Sequence, residues 1–484
     1  MGRAHGAHDR TASGRAAADA DPAWNEMSHV VAAAPAIDRF HLVDRCFREL
    51  TARGHRTEIL SLDAADHAFW CAQGHAASFA APRNANPRDP RIARIPFAEF
   101  AEIERRRGGH DIDSDEARHA EIRLRRLASA LLDRFERDRP DLVLFHQTRT
   151  GAHALVQFVA REAGVPVLWT GDGILPGTMQ TDPSGLDGDA AAARRNAWDY
   201  RSSPVDADFL RSSLASIAGK NTPHPLPRHE LRAPSALTRA LAAWQGRDDG
   251  TGPGFWRGLF SWREAQLRAA HPAAAIELPK APFTTVLLQS HDDARMRLDA
   301  DEPPTPAQLV RAAQRASAAI DRHAEVVAVL PREGLAEREL QQLRELDDVH
   351  IELAHATAAA CMAASAVVTV NAPLAGISLL AGTPLLHLGR AIYGTPGVAF
   401  ATPLEELTPT LRLALRDNQP ELRKRFLTTL LRHGHLWCSP DAPDHNGIQG
   451  LVQRIEDTIA RKAPFGADLV YRAGPAWPLA NENR

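Results

Sequence analysis

The chain has 484 residues, of which 44% are hydrophobic, so it is long enough to bury the cores of two or more domains. Its 57 basic and 60 acidic residues give a net charge of -3 at pH 7, so we expect no nucleic-acid partner. The four cysteines lie far apart without a CxxC spacing, which suggests neither a zinc site nor a disulfide framework. There is no apolar run of about 18 residues and no signal-peptide core, so we expect a cytoplasmic protein.

The N-terminal stretch, residues 1–28, is rich in Ala, Gly, Asp and Arg without periodicity and is predicted to be a disordered leader. Either Met1 or Met27 could be the initiating methionine. The residues that follow predict a strand at His29–Pro35, a helix with one apolar stripe and a second strand, RTEILSLD. This β-α-β opening lacks the Gly-x-Gly-x-x-Gly spacing, so neither NAD nor FAD is expected.

The rest of the first half alternates between helices and strands. Residues 71–115 are predicted to be irregular, and they are followed by a helix at Glu116–Arg137, a strand at Asp141–Gln147 and a helix at Ala152–Ala163. The strand VPVLWT then continues into a Gly-rich loop. Apolar strands that alternate with helices predict a parallel, doubly wound sheet.

A second β/α series follows a change of pattern between residues 187 and 280, where Pro-rich and charged segments predict a connector. The series begins with a strand at Phe283–Ser290. Further elements are predicted at Pro306–His323, Glu325–Pro331, Leu335–Leu346, Val349–Leu353 and, after several more helices, Ile448–Lys462.

The stretch Ala366–Gly397 is the most informative part of this series. The strand AVVTV is broken by a turn that ends at Pro373, a helix is predicted at Leu374–Ala381, and Gly382 suits its C-terminal cap. The turn would place a helix N-terminus with free N–H groups at the carboxyl edge of the sheet, where α/β proteins hold phosphate. On its own, such a βαβ unit is more typical of sheet scaffolding than of a phosphate site.

The predicted fold class is α/β, with two Rossmann-like β/α domains facing a cleft, as in the GT-B glycosyltransferases. The predicted domains are an N-terminal acceptor domain at 29–205, a connector at 206–280, a donor domain at 281–440, and a C-terminal helix and tail at 441–484. A nucleotide-sugar donor would lie in the cleft, mostly on the C-terminal half.

Several stretches resemble, in order, the bacterial capsule polysaccharide biosynthesis family, which includes β-Kdo transferases that use CMP-Kdo. The most specific is VNAPLAGISLLAGTPLLHLGRAIYGTPG, and the others include GVPVLWTGDGILPGTMQTDPSGLD, TVLLQSHDDARM and VAVLPREG. The resemblance spans roughly residues 29 to 400.

The resemblance implies a glycosyltransferase that moves a sugar, Kdo from CMP-Kdo, to a lipid-linked or glycan acceptor. The CMP-sugar donor is then a substrate, and no further cofactor is expected. A peripheral contact with the inner membrane or with capsule assembly proteins is left open. The one HxH pair, His433 and His435, has no acid or Cys at a ligand-like spacing, so no metal is assigned.

The candidate site residues follow from the matched motifs. Asp172, between two glycines at a strand end, is the candidate catalytic base or nucleophile. His146 and Arg149, at the end of the preceding strand, could hold the acceptor or the Kdo carboxylate, with a surface cap as the alternative. The candidate donor-binding residues are Gln289, Asp292, Pro331, Arg332, Asn371, Ala372, Pro373, Arg390 and Tyr393.

The chain also departs from the family's pattern at polar positions. Gly171 replaces the first acid of the acidic-Gly loop, Leu330 replaces a His, Ala372 and Pro373 replace hydroxyl residues, and Ile377 replaces a glutamate. None of these side chains can donate a hydrogen bond or share a proton. Two alternatives therefore stay open: a catalytically degenerate glycosyltransferase-like protein for binding or assembly, and a GT-B enzyme that uses a UDP-sugar.

Overall fold

The computed structural model describes residues 27–35, 39–62, 64–80, 85–108, 114–147, 149–218, 278–290, 293–332, 334–416 and 419–461. The predicted leader up to residue 26, most of the predicted connector, the tail after residue 461 and Asp292 lie outside the described residues. Within the described residues, no helix is both long enough and apolar enough to cross a membrane.

The first half is built on a seven-stranded sheet with the order β13-β6-β5-β4-β1-β2-β3. Its central strands are buried along their length, as expected for parallel strands covered on both faces. The strands are β1 (His29–Ala33), β2 (Arg56–Ser61), β3 (Ala77–Phe79), β4 (Leu142–His146), β5 (Val167–Asp172), β6 (Met179–Asp182) and β13 (His435–Leu436).

The sheet is mixed, whereas the sequence predicted a parallel one. The strands β1 to β5 are parallel, but β6 runs antiparallel to β5, and β13 runs antiparallel to β6. The turn at residues 173–178 causes the reversal, because the N–H of Gly173 donates to the Thr178 carbonyl at 3.0 Å and the Thr178 hydroxyl donates to the Leu175 carbonyl at 2.7 Å. The predicted Gly-rich loop is therefore the connection of a β-hairpin.

Helices cover both faces of this sheet. They are α1 (Phe40–Ala52), α2 (Ala64–Ala72), α3 (Phe97–Gly108), α4 (Ser114–Arg137) and α5 (Gly151–Glu162). The next helix, α6 (Ala207–Ala218), packs instead against helices of the second half. The apolar stripe predicted for α1 is buried, which confirms that helix. The irregular region predicted at 71–115 is wrong in part, because Phe97, Phe100 and Ile103 recur at a helical spacing and pack α3 against α4 and α5.

The second half is a six-stranded sheet in which every neighbouring pair is parallel, in the order β12-β11-β10-β7-β8-β9. Its strands are β7 (Phe283–Leu287), β8 (Glu325–Val329), β9 (Val349–Glu352), β10 (Ala366–Thr369), β11 (Leu385–His387) and β12 (Phe400–Ala401). Its helices are α7 (Ala294–Asp299), α8 (Pro306–Ala318), α9 (Glu337–Arg344), α10 (Thr357–Ala363), α11 (Gly376–Ala381), α12 (Leu407–Ala414) and α13 (Pro420–Thr429). Together with the first sheet, this confirms the predicted α/β class with two Rossmann-like halves.

The end of the described chain returns to the first half. The strand β13 adds to the edge of the first sheet, and the last helix, α14 (His445–Ile459), packs against α1. The chain passes from the second half back to the first before residue 440, the position at which the second domain was predicted to end. That domain boundary stays a prediction.

The two halves also share a hydrophobic core. Ile174 and Leu175, from the hairpin turn of the first half, are buried in one cluster with Ile377 and Leu379 of α11. Gly376 permits this contact, since a Cβ built on it would lie 2.7 Å from the Ile174 Cβ and 2.9 Å from the Ile174 carbonyl oxygen.

We expect Gly376→Ala to lower the free energy of unfolding by about 1–3 kcal/mol, because the added methyl overpacks this contact between the halves. Gly450→Ala is the matched control. Gly450 lies inside α14, and a Cβ built on it would lie 3.6 Å from the nearest atom, Leu436 Cδ2, so stability should stay level or rise by up to about 1 kcal/mol. Chemical denaturation measures both. Equal effects of the two variants would contradict a close contact at Gly376.

Candidate functional site

The carboxyl ends of both sheets open into a shared cleft of about 480 Å³. Its walls come from three parts of the chain. The first half contributes Arg39, Gln147, Asp172, Gly173 and 175–178. The second half contributes residues 287–289, Asp293, Arg295, 329–332 and 372–374, and the C-terminal segment contributes 439–441. This is the position at which open α/β sheets bind ligands.

Asp172 ends β5 and lies where the two halves face each other. Its Oδ2 accepts a hydrogen bond from Gln147 Nε2 at 2.5 Å, and its Oδ1 lies 3.3 Å from Arg39 Nη2. From the opposite wall, Arg295 Nη1 lies 3.9 Å from Oδ2. The side chain is 32% exposed, so the carboxylate can meet a ligand.

The environment of Asp172 keeps it ionised. Desolvation by burial pushes its pKa upward, but the charges of Arg39 and Arg295 and the hydrogen bond from Gln147 outweigh that effect, and the pKa lies below the ordinary value of 3.8. A carboxylate with a lowered pKa is a weak base. Asp172 is thus a negative charge in a defined position. Its pKa is not raised, as the pKa of an efficient general base would be.

Gln289 and Asn371 form a buried amide pair behind the cleft wall. Gln289 Nε2 donates to Asn371 Oδ1 at 2.8 Å, and the Asn371 N–H donates to Gln289 Oε1 at 3.0 Å. The Asn371 Nδ2 also donates to the carbonyls of Arg295 and Arg390. Gln289 reaches the cleft, whereas Asn371 ties three loops together beneath it.

The turn after β10 offers fewer free donors than expected. It is a 3₁₀ turn at Pro373–Ala375 followed by the six-residue α11. The Ala372 N–H donates to Thr369 Oγ1 and the Ala375 N–H donates to the Ala372 carbonyl. The Asn371 N–H donates to Gln289 and Pro373 has no N–H, so within residues 371–375 only the Leu374 N–H is left for a ligand. The expectation of several free N–H groups is therefore wrong, although Ala372 and Pro373 do line the cleft.

Arg332 and Pro331 lie on the cleft wall, and their role in donor binding stays a prediction. Arg332 forms an ion pair with Asp441, and the same carboxylate pairs with Arg39 of the first half. The position of Asp441 could not be predicted, because more than a hundred residues separate it from Arg332.

Tyr393 and Arg390 do not reach this cleft. Tyr393 is fully buried, and its hydroxyl donates to the Ala372 carbonyl at 2.9 Å. Arg390 lines a separate cavity of about 390 Å³ and lies 2.8 Å from Asp299 and 3.0 Å from Asp189. Both residues position loops of the second half.

Arg149 belongs to the same charge network. It is buried, and its Nη1 donates to Asp299 Oδ2 at 2.6 Å while its Nη2 pairs with Asp189. Since Arg149 and Asp189 come from the first half and Asp299 and Arg390 from the second, the four charges join the halves. Arg149 is thus neither a surface cap nor a residue of the cleft wall.

His146 lies beneath the cleft. It is buried, with Nδ1 2.7 Å from Thr170 Oγ1, and burial lowers its pKa to about 3, with a further lowering by Arg39. It is therefore neutral at physiological pH and does not line the cleft.

Asp187 is a buried carboxyl that sequence reasoning did not single out. Burial raises its pKa to about 6, although Arg295 opposes the shift. Its φ of 51° lies in the left-handed region, which is uncommon for a non-glycine residue. Its only sequence signal is its place at the end of the TDPSGLD stretch.

One group of possible metal ligands occurs within the described ranges. His29, Glu58 and Asp138 place ligand atoms within 4.8 Å of one another. Arg134 lies 2.7 Å from Glu58, and Arg56 lies 2.7 Å from Asp138. Arginines thus hold the carboxylates, so the group is an ion-pair cluster.

No protein-family model matches the chain, and no curated protein matches it by sequence. Solved structures with a similar fold include the glycosyltransferase VinC in complex with dTDP, at 14% identity over 90% of this chain and 100% of that chain, with a TM-score of 0.34. The β-Kdo 2,4 transferase KpsC of Thermosulfurimonas dismutans gives 14% identity, 65% and 88% coverage and a TM-score of 0.36. The glycosyltransferase SnogD from Streptomyces nogalater is 15% identical over 83% of this chain and 94% of that chain, with a TM-score of 0.31. At these identities the likeness extends no further than the fold.

We expect Asp299→Asn to lower the free energy of unfolding by about 3–5 kcal/mol, because it leaves the buried Arg149, and with it the partly exposed Arg390, short of a negative charge. Asp301→Asn is the control. Asp301 is fully exposed and lies 3.6 Å from Arg106, so its loss should change stability by less than about 0.5 kcal/mol. Urea denaturation distinguishes the two, and a wild-type value for Asp299→Asn would contradict a stabilising network.

The free energy of unfolding should decrease as the pH is lowered, because three histidines are buried in the neutral form. Burial lowers the pKa of His146 to about 3 and those of His153 and His435 to about 4. The unfolded chain binds these protons near pH 6.5, so stability is full above that pH and declines as the pH falls toward 4. Each histidine contributes about 1.4 kcal/mol per pH unit in this window.

His435→Gln tests this origin. The His435 Nε2 accepts the Ile174 N–H at 3.1 Å, and a glutamine oxygen can take over that acceptor role without titrating. We expect the slope of unfolding free energy against pH between 6.5 and 5 to fall by about 1.4 kcal/mol per unit. An unchanged slope would show that His435 is not buried in the neutral form.

Proposed function

We propose that the protein is a glycosyltransferase that binds a nucleotide-activated sugar in the cleft and transfers the sugar to an acceptor hydroxyl. The observation that carries the proposal is the meeting of Asp172 with Arg295 across the cleft, at the carboxyl ends of both Rossmann-like sheets. This arrangement supports a reaction between two bound groups, one held by each half of the protein.

The charges of the cleft favour an anionic donor. Arg39, Arg295 and Arg332 line it from both sides, and guanidinium groups bind phosphate and carboxylate through paired hydrogen bonds. CMP-Kdo carries one phosphate and one carboxylate, which fits both this wall and the sequence resemblance. Because the turn at 371–375 has few free N–H groups, we assign the phosphate to the arginines and not to a helix N-terminus.

Asp172 has a defined role in this reaction. The acceptor hydroxyl gives its proton to an Asp172 oxygen while the hydroxyl oxygen attacks the anomeric carbon, and the bond from that carbon to the phosphate breaks so that CMP leaves with the electron pair. The donor's negative charge would partly neutralise Arg39 and Arg295, which now depress the pKa of Asp172. Donor binding thereby makes Asp172 a stronger base.

A second candidate is a binding or assembly protein with the glycosyltransferase fold. The lowered pKa of Asp172 favours it, and so does the apolar character of Leu330, Ala372 and Pro373 on the cleft wall. In this reading the cleft binds a nucleotide sugar without turning it over. A UDP-sugar as donor is the third candidate, because two phosphates would also suit the arginines.

Asp172→Asn should lower sugar transfer from CMP-Kdo by at least about 10²-fold, because the substitution removes the charge and basicity but keeps the size of the side chain. CMP affinity should stay level or rise, since Asp172 pairs with Arg39 and Arg295 and its charge competes with that of the donor. Asp301→Asn, outside the cleft, should leave both quantities at wild-type values. Product formation and calorimetry measure them.

A thermal-shift panel of CMP, CMP-Kdo, UDP and UDP-sugars identifies the donor, because a ligand at about 100 times its Kd stabilises by roughly 2.7 kcal/mol. Full transfer by Asp172→Asn would remove Asp172 from the mechanism. CMP binding without any wild-type transfer would support the binding protein, and a response to UDP-sugars alone would support the third candidate.

A further inference from the structure

The carboxylate of Asp441 occupies the cleft between the two halves. It forms ion pairs with Arg39 of the first half and with Arg332 of the second half. Asp441 lies in the segment between β13 and α14, and it lines the cleft together with Ser439 and Pro440. A negatively charged group of the protein itself is therefore bound by arginines from both walls.

The two arginines differ in how firmly they are held. The side chain of Arg39 is 11% exposed, and its Nε donates to Gln147 Oε1 at 3.1 Å, so its position is fixed by more than Asp441. The side chain of Arg332 is 70% exposed and that of Asp441 is 35% exposed. Ion pairs in contact with solvent contribute little stability and exchange readily. Asp441 can thus be displaced at low cost.

The C-terminal segment does not depend on Asp441 for its place. The strand β13 pairs with β6, and Cys438 is buried where it packs against Gly447. Asp444 caps α14 by accepting the Gly447 N–H at 2.7 Å. With both ends of the segment anchored in this way, the Asp441 carboxylate is not needed to hold it.

We infer that Arg39 and Arg332 form an anion subsite, that Asp441 fills it in the free protein, and that a phosphate or carboxylate of the ligand takes its place. The inference rests on the proposed function in placing the donor in this cleft, and it adds the requirement that the ligand carry an anionic group which both halves contact. Ligand binding then exchanges one internal ion pair for an intermolecular one across the cleft.

Asp441→Asn tests the subsite in the full-length chain. By calorimetry with CMP, which carries the phosphate, and free Kdo, which carries the carboxylate, we expect at least one of them to bind about fivefold more tightly to Asp441→Asn, because the competing charge is gone. Arg332→Gln should weaken the same probe about tenfold. Cytidine, which has no charge, should bind equally to all variants. Asp208→Asn, which removes an exposed aspartate paired with Arg211 on α6, should match wild type.

The outcomes separate this inference from the proposed function. Tighter binding of CMP assigns the subsite to the phosphate, and tighter binding of Kdo assigns it to the carboxylate. If neither probe binds more tightly to Asp441→Asn, or neither binds at all, the subsite does not exist, even if CMP-Kdo is turned over. If a probe binds more tightly but no sugar is transferred, the subsite stands and the transferase assignment fails.

Discussion

A charge network in which Arg149, Asp189 and Asp299 are buried and Arg390 is partly exposed holds the two halves in register. Its four members come in pairs from the two sheets, and each arginine contacts both aspartates. Gly188 allows the close approach, since a Cβ there would lie 2.6 Å from the Arg390 Cβ. Because ion pairs in a low dielectric require a defined geometry, this network restricts the relative orientation of the halves more than apolar contacts would.

The cleft depends on that register through a chain of hydrogen bonds. The Arg390 N–H donates to the Asp299 carbonyl at 2.7 Å, and Asn371 donates to the Arg390 carbonyl while pairing with Gln289 on the cleft wall. Loops that carry ligand-facing groups are thus attached to the network from behind. Asp172 and Arg295 lie 3.9 Å apart across the cleft, a distance that a small rotation of either half would change.

Local patterns predicted much of the fold and only part of the site. The apolar stripe of α1, the alternating strands and the left-handed cap at Gly382 follow from neighbouring residues and are present. Arg149 pairs with Asp299, and Asp441 pairs with Arg332, across more than a hundred residues of chain, so no local pattern indicates these two ion pairs. The free N–H groups expected after β10 are absent for both local and distant reasons, because Thr369 accepts the Ala372 N–H and Gln289, 82 residues away, accepts the Asn371 N–H.

The apolar residues at positions where the resembling capsule family has polar ones lie in different physical settings. Ile377 is completely buried in the core shared by the two halves, where an ionised glutamate would lose its hydration without a partner. Ala372 and Pro373, by contrast, line a cleft in which Arg39 and Arg332 provide charge from other segments. Ile377 therefore contributes to the packing between the halves, whereas at Ala372 and Pro373 the proposed ligand would depend on guanidinium groups from other segments. Since Arg39 and Arg332 come from opposite walls, the proposed anion subsite depends on the charge network that holds the halves at this distance.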